Sequence, residues 1–392
     1  MNFLDLKTNF LDPENMDTEI VERKGLGHPD TLADALAELI SMEYSKYCID
    51  NFGYVLHHNV DKFYIGAGFF KSGFGFVEKI KPVQVFINGR MSDSFGGHQI
   101  NVDVLQRKTI LSYLQAVLPN LASTDVVINS NVTQNSQIPY WFQPRGIEDL
   151  PEYSKLTAND NAVCVASYPL TTCEDLVYSL EEYFWNKEEF FPSPRFKCFG
   201  QDIKVMAYRN GNAVNIGVRV PVISTFAPDK NAYNDIVAQA QKDLSLFANE
   251  LVGDKYRINL EVNANKPYML GIGSCIECGE EGVVGRGNSS SGLISMFRPH
   301  STEAPSGKNP KYHTGRVMNY LVTILSKAIY DELGVKNSVI AMTKNGSTLI
   351  PPYLLSISTG ITVDKKDIER LVTKNILEID YVAGLLRDKQ VR

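Results

Sequence analysis

The chain has 392 residues, 44% hydrophobic and 21% charged, which is the balance of an ordinary globular protein with core enough for two or three domains. A formal net charge of −6 excludes a general nucleic-acid binder, which needs a basic surface. No apolar run approaches the roughly 18 residues of a membrane span. Asp5, Asp12 and Glu14 stand where a signal peptide would need an apolar stretch, so the cytoplasm is the expected compartment.

Hydrophobic spacing predicts about six helices in chain order. The first follows Pro29-Asp30 and reaches about Asn51, with Leu32, Leu36, Leu39 and Ile40 on one face. The next three run from about Val102 to Leu118, Cys173 to Trp185 and Tyr233 to Val252. A fifth covers about Lys311 to Leu333 and stops at Gly334, a C-cap signal. The last carries Ile368, Leu371, Val372, Ile376 and Ile379. Between them lie strand candidates at Tyr54–Ile65, Gln84–Asn88, Asp125–Val132, Arg257–Asn263, Ser338–Met342 and Tyr353–Ser358. The run from Ile203 to Val222 has the hairpin signal Asn210-Gly211 in its middle. Strands arrive in pairs rather than alternating strictly with helices. The expected class is therefore α+β, with three similar units whose mixed or antiparallel sheets pack against helices. The units are placed at about residues 1–135, 136–260 and 261–392. No linker or low-complexity tract separates them, so they are expected to interlock.

Six scattered cysteines without a secretory signal are expected to be free thiols. Cys275 and Cys278 form a lone C-x-x-C, and no second pair with ligand spacing accompanies it.

Three segments carry chemistry. In Glu22-Arg-Lys24-Gly-Leu-Gly27-His28-Pro29-Asp30, Pro29 suits the first position of a helix and Asp30 its positive end. The run reads equally as a capped helix or as a phosphate–magnesium site. In Ser306-Gly307-Lys308-Asn309-Pro310, Asn309 is expected to cap a helix beginning at Pro310, with Lys308 beside its free amides. Thr302 stands where a P-loop needs its first glycine, and Asn309 where it needs Ser or Thr. The third, Gly279 to Gly292, is glycine-dense and offers Arg286 as a phosphate fork, but lacks the third glycine of a dinucleotide fingerprint. Asp202 and Lys204 open the hairpin and are expected on one strand face. His57 and His58 are adjacent on a strand, so they point apart and cannot easily share a metal. His58 or Asp61 is a pocket candidate, with a structural histidine as the alternative.

Taken together, these segments resemble the archaeal-type S-adenosylmethionine synthetase (methionine adenosyltransferase) family. The resemblance rests on Glu19 to Asp30, Leu56-His-His-Asn59 with Asp61, Ala158-Asn159-Asp160, Asp202-Ile-Lys204-Val-Met206 and Val284-Gly-Arg286-Gly-Asn288. Phe297-Arg-Pro299, Ser306-Gly-Lys308-Asn-Pro310 and His313 then follow, all in family order over residues 19 to 330. It implies that methionine sulfur attacks the 5′ carbon of ATP and expels tripolyphosphate, which is hydrolysed to pyrophosphate and phosphate. It implies catalytic roles for His28, Lys204, Arg286 and Lys308, with His28 at the departing oxygen and the three cations on the tripolyphosphate. Glu22, Lys24, Asp202, Gly285, Asn288, Ser306 and Gly307 would line the ATP side, Asp160 and Glu280 the methionine side, and Asp30 would hold magnesium. Potassium, and a homodimer or dimer of dimers with shared active sites, are implied in the same way.

The chain departs from the family on several loops. Gly66-Ala67-Gly68 stands where two adjacent glycines are usual, Gly75-Phe76-Val77 replaces a glycine triplet, and Asn161-Ala162-Val163-Cys164 follows Asp160. Val132-Thr133-Gln134-Asn135-Ser136 stands for an Ile-Gly-Gln-Gly-Ser run, Ser289-Ser290-Ser291 follows Asn288, and Glu280 replaces an aspartate. Replacing glycine removes access to positive φ. Two other readings therefore stand beside the first: an enzyme using another sulfur nucleophile or only hydrolysing ATP or tripolyphosphate, and a non-catalytic nucleotide-binding paralogue.

Overall fold

The computed structural model describes residues 1–186, 191–192 and 197–387. Its fold is mixed α and β, with three main sheets, each backed by helices over its own apolar core.

The first sheet runs Glu281–Val283, His58–Gly66, Val83–Met91, Val126–Thr133. The last pair is parallel and the others antiparallel. Helices α1 (Pro29–Phe52) and α2 (Val102–Val117) cover it. Leu32, Leu36 and Ile40 of α1 meet Phe63, Ile65, Val85 and Ile87, all essentially inaccessible. Burying each such side chain contributes about 1.5–3 kcal/mol.

The second sheet runs Arg257–Val262, Ala213–Arg219, Lys204–Asn210, Thr18–Lys24, Ile294–Ser295. Along Lys204–Asn210 the inward Val205, Ala207 and Arg209 are buried, whereas Met206 and Tyr208 on the other face are exposed. Helices α3 (Thr172–Glu182) and α4 (Lys230–Val252) cover the inward face. The hairpin turn falls at Gly211, whose φ of 57° is the left-handed conformation glycine adopts without strain.

The third sheet runs Leu4–Lys7, Leu354–Thr359, Asn337–Met342, Val163–Tyr168, covered by α5 (Thr314–Leu333) and α6 (Lys365–Val372). A π-helical turn, Thr373–Leu377, and α7 (Tyr381–Arg387) are the last of the described elements. Among the described residues, no helix is long and apolar enough to cross a membrane.

Three sequence expectations need correction. The strand Thr18–Lys24 was not foreseen, because two of its inward positions are charged. Glu19 pairs with Arg209 at 3.1 Å, and Arg23 pairs with Glu181 at 2.7 Å while stacking over Tyr178. Helix α5 starts at Thr314, capped by His313, not at Pro310. The segment before it is held sideways instead: Lys308 bridges Asn59, and Asn309 Nδ2 donates to the Leu56 carbonyl at 2.9 Å. Asp202 and Lys204 do not share an environment, because the strand begins only at Lys204 and Asp202 is buried behind it.

Candidate functional site

The site begins at the N-terminus of α1. His28 is its cap: the ring Nδ1 accepts the Asp30 amide at 3.2 Å, and Pro29 spends no donor in the first turn. Gly27 must be glycine for space, since a Cβ there would lie 2.7 Å from the backbone carbon of Gln201. That close approach lets the Gly27 amide donate to the Gln201 carbonyl at 2.8 Å and fixes the loop ahead of the helix. Lys24 Nζ donates to Asp30 Oδ2 at 2.9 Å and to the Arg286 carbonyl at 2.6 Å. Lys204, opposite Lys24 in the ladder, lies 3.2 Å from Glu22. Burial, and then the nearby Lys24 charge, push the His28 imidazolium down to about 4, so the ring is neutral at pH 7. With Nδ1 accepting, the proton sits on Nε2.

The same helix gathers two glycine loops. Asp34, one turn beyond Asp30, accepts the Gly285 amide at 2.8 Å and the Gly287 amide at 3.0 Å, and lines one cavity with Ser306. Glu38, one turn further, accepts the Gly307 amide at 3.3 Å and pairs with Arg316 in full burial. Asp30 itself accepts Val283 N at 3.3 Å, and a Cβ on Gly282 would meet the Pro29 carbonyl at 1.8 Å. Burial lifts the Asp34 carboxyl to about 6 against the pull of its two amide bonds. Burial also raises Glu38. Asn288 closes the arrangement by exchanging hydrogen bonds with both backbone groups of Lys24, at 3.0 and 2.8 Å. The Arg286 side chain is exposed between the clamped amides of Gly285 and Gly287. A cavity of about 500 Å³ lies between α1, α5 and these loops, lined by Asp34, Glu38, Gly285, Asn288, Ser306 and Arg316 among others. Lys24, His28, Lys204 and Lys308 are not part of that lining.

Lys308 heads a second group. Its ammonium pairs with Glu303 and lies 4.0 Å from Asp61, while its backbone carbonyl accepts Ser41 Oγ at 3.1 Å. His313, at the start of α5, is pushed down to about 4 by burial and then by Lys308, and feels Asp61 and Asp160 in the opposite sense. That places Asp160, an exposed side chain, within electrostatic reach of this group. Asp202 and Glu280 meet around a single turn: Asp202 Oδ2 accepts the Cys275 amide at 2.7 Å, and the Glu280 amide donates to the Cys275 carbonyl at 3.3 Å. Burial raises Asp202 to about 7.

The structure thus brings Glu22, Lys24, His28, Asp30, Lys204, Gly285 and Asn288 together. It ties Gly307 to them through Glu38 of α1, puts Ser306 in the same cavity lining as Asp34, and groups Lys308 with Asp160 around His313. His58 is structural: it is fully buried, bonded to Ser41 Oγ at 2.7 Å and to the Leu56 carbonyl at 2.9 Å. His57 stacks on Trp141 and bonds Glu152, so the two histidines do point apart. Asp34, Glu38 and Glu303 escaped the sequence reading, although Asp30, Asp34 and Glu38 recur every four residues, the spacing of one helix face.

A mixed α and β fold with Lys24 and Lys204 gathered near a helix N-terminus is an arrangement suited to phosphate-bearing ligands. The sequence model of the S-adenosylmethionine synthetase (AdoMet synthetase) family matches residues 6–387, so the chain belongs to that family, whose members are methionine adenosyltransferases. The chain is 40% identical over 381 residues to an uncharacterised protein of Streptococcus pyogenes serotype M3, covering 95% of this chain and 94% of that one. It is 32% identical over 351 residues to the S-adenosylmethionine synthase of Methanothrix thermoacetophila, with 88% and 86% covered. To that of Hyperthermus butylicus it is 31% identical over 390 residues, with 96% and 92% covered.

Proposed function

We propose that this protein makes S-adenosylmethionine from ATP and L-methionine, the sulfur displacing tripolyphosphate from the 5′ carbon, with hydrolysis to pyrophosphate and phosphate following. The observation that carries this reading is the convergence of Lys24, His28, Asp30 and Lys204 on the N-terminus of α1, beside the amide-clamped Arg286 loop. Displacement at carbon needs no protein nucleophile; the barrier lies in the charge that develops on the leaving group, and fixed cations answer it. His28, neutral with its proton on Nε2, donates a hydrogen bond to the departing oxygen. Lys204, Arg286 and Lys308 neutralise the phosphates, while Glu22, Lys24, Asp202, Gly285, Asn288, Ser306 and Gly307 shape the ATP side. Asp160 and Glu280 take the methionine side.

Among the described residues no three His, Cys, Asp or Glu side chains form a metal cage. One carboxylate with phosphate oxygens is the usual magnesium arrangement, and Asp30 would supply that carboxylate in exchange for its ion pair with Lys24. Magnesium held there would spread the leaving-group charge; potassium belongs to the same reading.

The exposed Met206 and Tyr208 on the open face of the second sheet, with Met296 beside it, support a homo-oligomer that shares its sites. The three sheets support three similar interlocked units, divided near residues 135 and 260. Leu4–Lys7 pairs with Leu354–Thr359, and Thr18–Lys24 with Lys204–Asn210, which supports the interlocking.

Purified protein with ATP, magnesium, potassium and L-methionine should yield S-adenosylmethionine with phosphate and pyrophosphate, read by mass spectrometry and dependent on the amino acid. Phosphate release without a sulfonium product would refute the reading.

A further inference from the structure

The Cys275-Ile-Glu-Cys278 run takes no part in the proposed chemistry, yet it sets two thiols three residues apart on one tight turn. Ser274 caps the short turn Cys275–Glu277, and the Cys278 amide donates to the Cys275 carbonyl at 2.8 Å. Residues three apart in such a turn eclipse, about 6 Å along its axis, which is inside the roughly 4.4–6.8 Å Cα separation a disulfide spans. Tyr268 Oη lies 3.1 Å from Cys275 Sγ. Elsewhere Cys48, Cys164 and Cys173 are buried, and burial pushes their thiols up. Cys278 differs on both counts: it is exposed, and the neighbouring Cys275 thiol holds its own below the ordinary value. Cys275 is shifted up, first by the Cys278 thiol beside it and then by burial. Cys278 therefore has the access and thiolate character of an attacking group, with Cys275 beside it as the resolving thiol.

We propose that Cys275 and Cys278 form a reversible disulfide, closed by a hydroperoxide and reopened by a dithiol, and that its closure alters the amino-acid side of the site. The Cys278 thiolate attacks one peroxide oxygen, the O–O bond breaks, and the leaving oxygen departs as water once protonated. The Cys275 sulfur then attacks Cys278 sulfur; the S–S bond forms, the S–O bond breaks, and the hydroxide leaves as water with the Cys275 proton. Two thiols and one hydrogen peroxide thus give one disulfide and two waters. A disulfide in a reducing compartment is a transient device rather than a structural staple.

The turn carries bonds that matter next door. The Cys275 amide holds Asp202 at 2.7 Å, its carbonyl accepts Glu280 N at 3.3 Å, and Cys278 bridges Phe69. Drawing the two sulfurs into a bond moves these donors and acceptors, so Asp202 and Glu280 shift. This coupling rests on the proposed function; the disulfide does not.

The test uses the whole protein, reduced, freed of reductant, titrated with hydrogen peroxide, then alkylated and read by intact mass and peptide mapping. The expected result is loss of two hydrogens confined to the peptide carrying Cys275 and Cys278. Dithiothreitol should reverse it, and Cys275→Ser and Cys278→Ser should abolish it. Oxidation that spares this pair, stops at sulfinic acid on Cys278, or joins two chains overturns the proposal. For the coupling, KM for methionine should rise severalfold on oxidation and return on reduction, with no response in Cys278→Ser. Equal KM values in both redox states overturn that half. The mass readout needs no turnover, so an enzyme without synthetase activity would leave the disulfide result standing.

Discussion

Replacing Lys308 by methionine removes a cation that is only 5% exposed while keeping most of its volume. The ammonium is the partner of Glu303 and lies 4.0 Å from Asp61, so its loss leaves two carboxylates facing each other. Breaking a fully buried pair costs about 3–5 kcal/mol. The Glu303 side chain keeps 27% of its surface in water, which reduces the expected stability cost to about 1–2 kcal/mol. The catalytic cost is larger. A fixed group facing developing phosphate charge contributes on the order of 10²–10³ in kcat, about 3–4 kcal/mol. The assay is S-adenosylmethionine formation at saturating ATP and methionine, with chemical denaturation run alongside to separate the two losses. His313 gives a second readout: Lys308 helps to hold it near 4, so its NMR titration should move upward in Lys308→Met. A folded Lys308→Met enzyme turning over within about tenfold of the parent would refute the assigned role, because a cation on the leaving group is worth more than that.

His58 should make stability pH-dependent. Burial depresses it to about 4 in the folded state, against about 6.5 for a free imidazole, so the unfolded chain takes up the proton first as pH falls. Its contribution is complete above about pH 6.5 and is lost toward 4. The stability gap between the parent and His58→Gln should therefore shrink by up to roughly 3 kcal/mol over that range, measured by urea unfolding. Ala67 has φ of 58°, where a Cβ is strained by about 1–2 kcal/mol, so Ala67→Gly should stabilise by roughly 0.5–1 kcal/mol after its entropy cost. A lower melting temperature in that variant would contradict the account. Gly282→Ala drives a Cβ to 1.8 Å from the Pro29 carbonyl, so the strand or α1 must move. It should cost about 3 kcal/mol or more and reduce turnover, checked by melting temperature and rate together. Sedimentation should find a homo-oligomer, and Tyr208→Lys on the open sheet face should shift it toward monomer.

Local chemistry was legible in the sequence. The start of α1 was readable because a cap, a first-turn proline and an acid are neighbours in the chain, and Gly334 ends α5 with φ of 68° as its type suggests. Tertiary competition was not legible. Asn309 and Pro310 satisfy a helix-start rule, but Lys308 is already paired with Asn59 across the strand, and the helix begins later. Thr18–Lys24 was hidden because its apolar alternation is interrupted by Glu19 and Arg23, whose partners lie more than a hundred residues away. Asp34 and Glu38 look in sequence like the solvated face of an amphipathic helix. Only the amides of Gly285, Gly287 and Gly307 arriving from elsewhere show otherwise. The link between Asp160 and Lys308 likewise exists only through His313 in space.

The row Asp30, Asp34, Glu38 makes α1 a gauge. From Asp30 to Glu38 the axis advances about 12 Å, at 1.5 Å per residue. Asp30 grips a backbone amide of the strand Glu281–Val283, Asp34 two amides of the loop after it, and Glu38 one of the loop that carries Lys308. The distance between the strand that meets Asp30 and the loop that carries Lys308 is therefore metered by a rigid rod rather than by a ligand. Inserting one residue between Asp34 and Glu38 would turn the lower grip by about 100° and lengthen the rod by only about 1.5 Å. A length change of that size could be absorbed by two flexible loops; the rotation could not, so the register of this helix is the dimension the family fold can least afford to change.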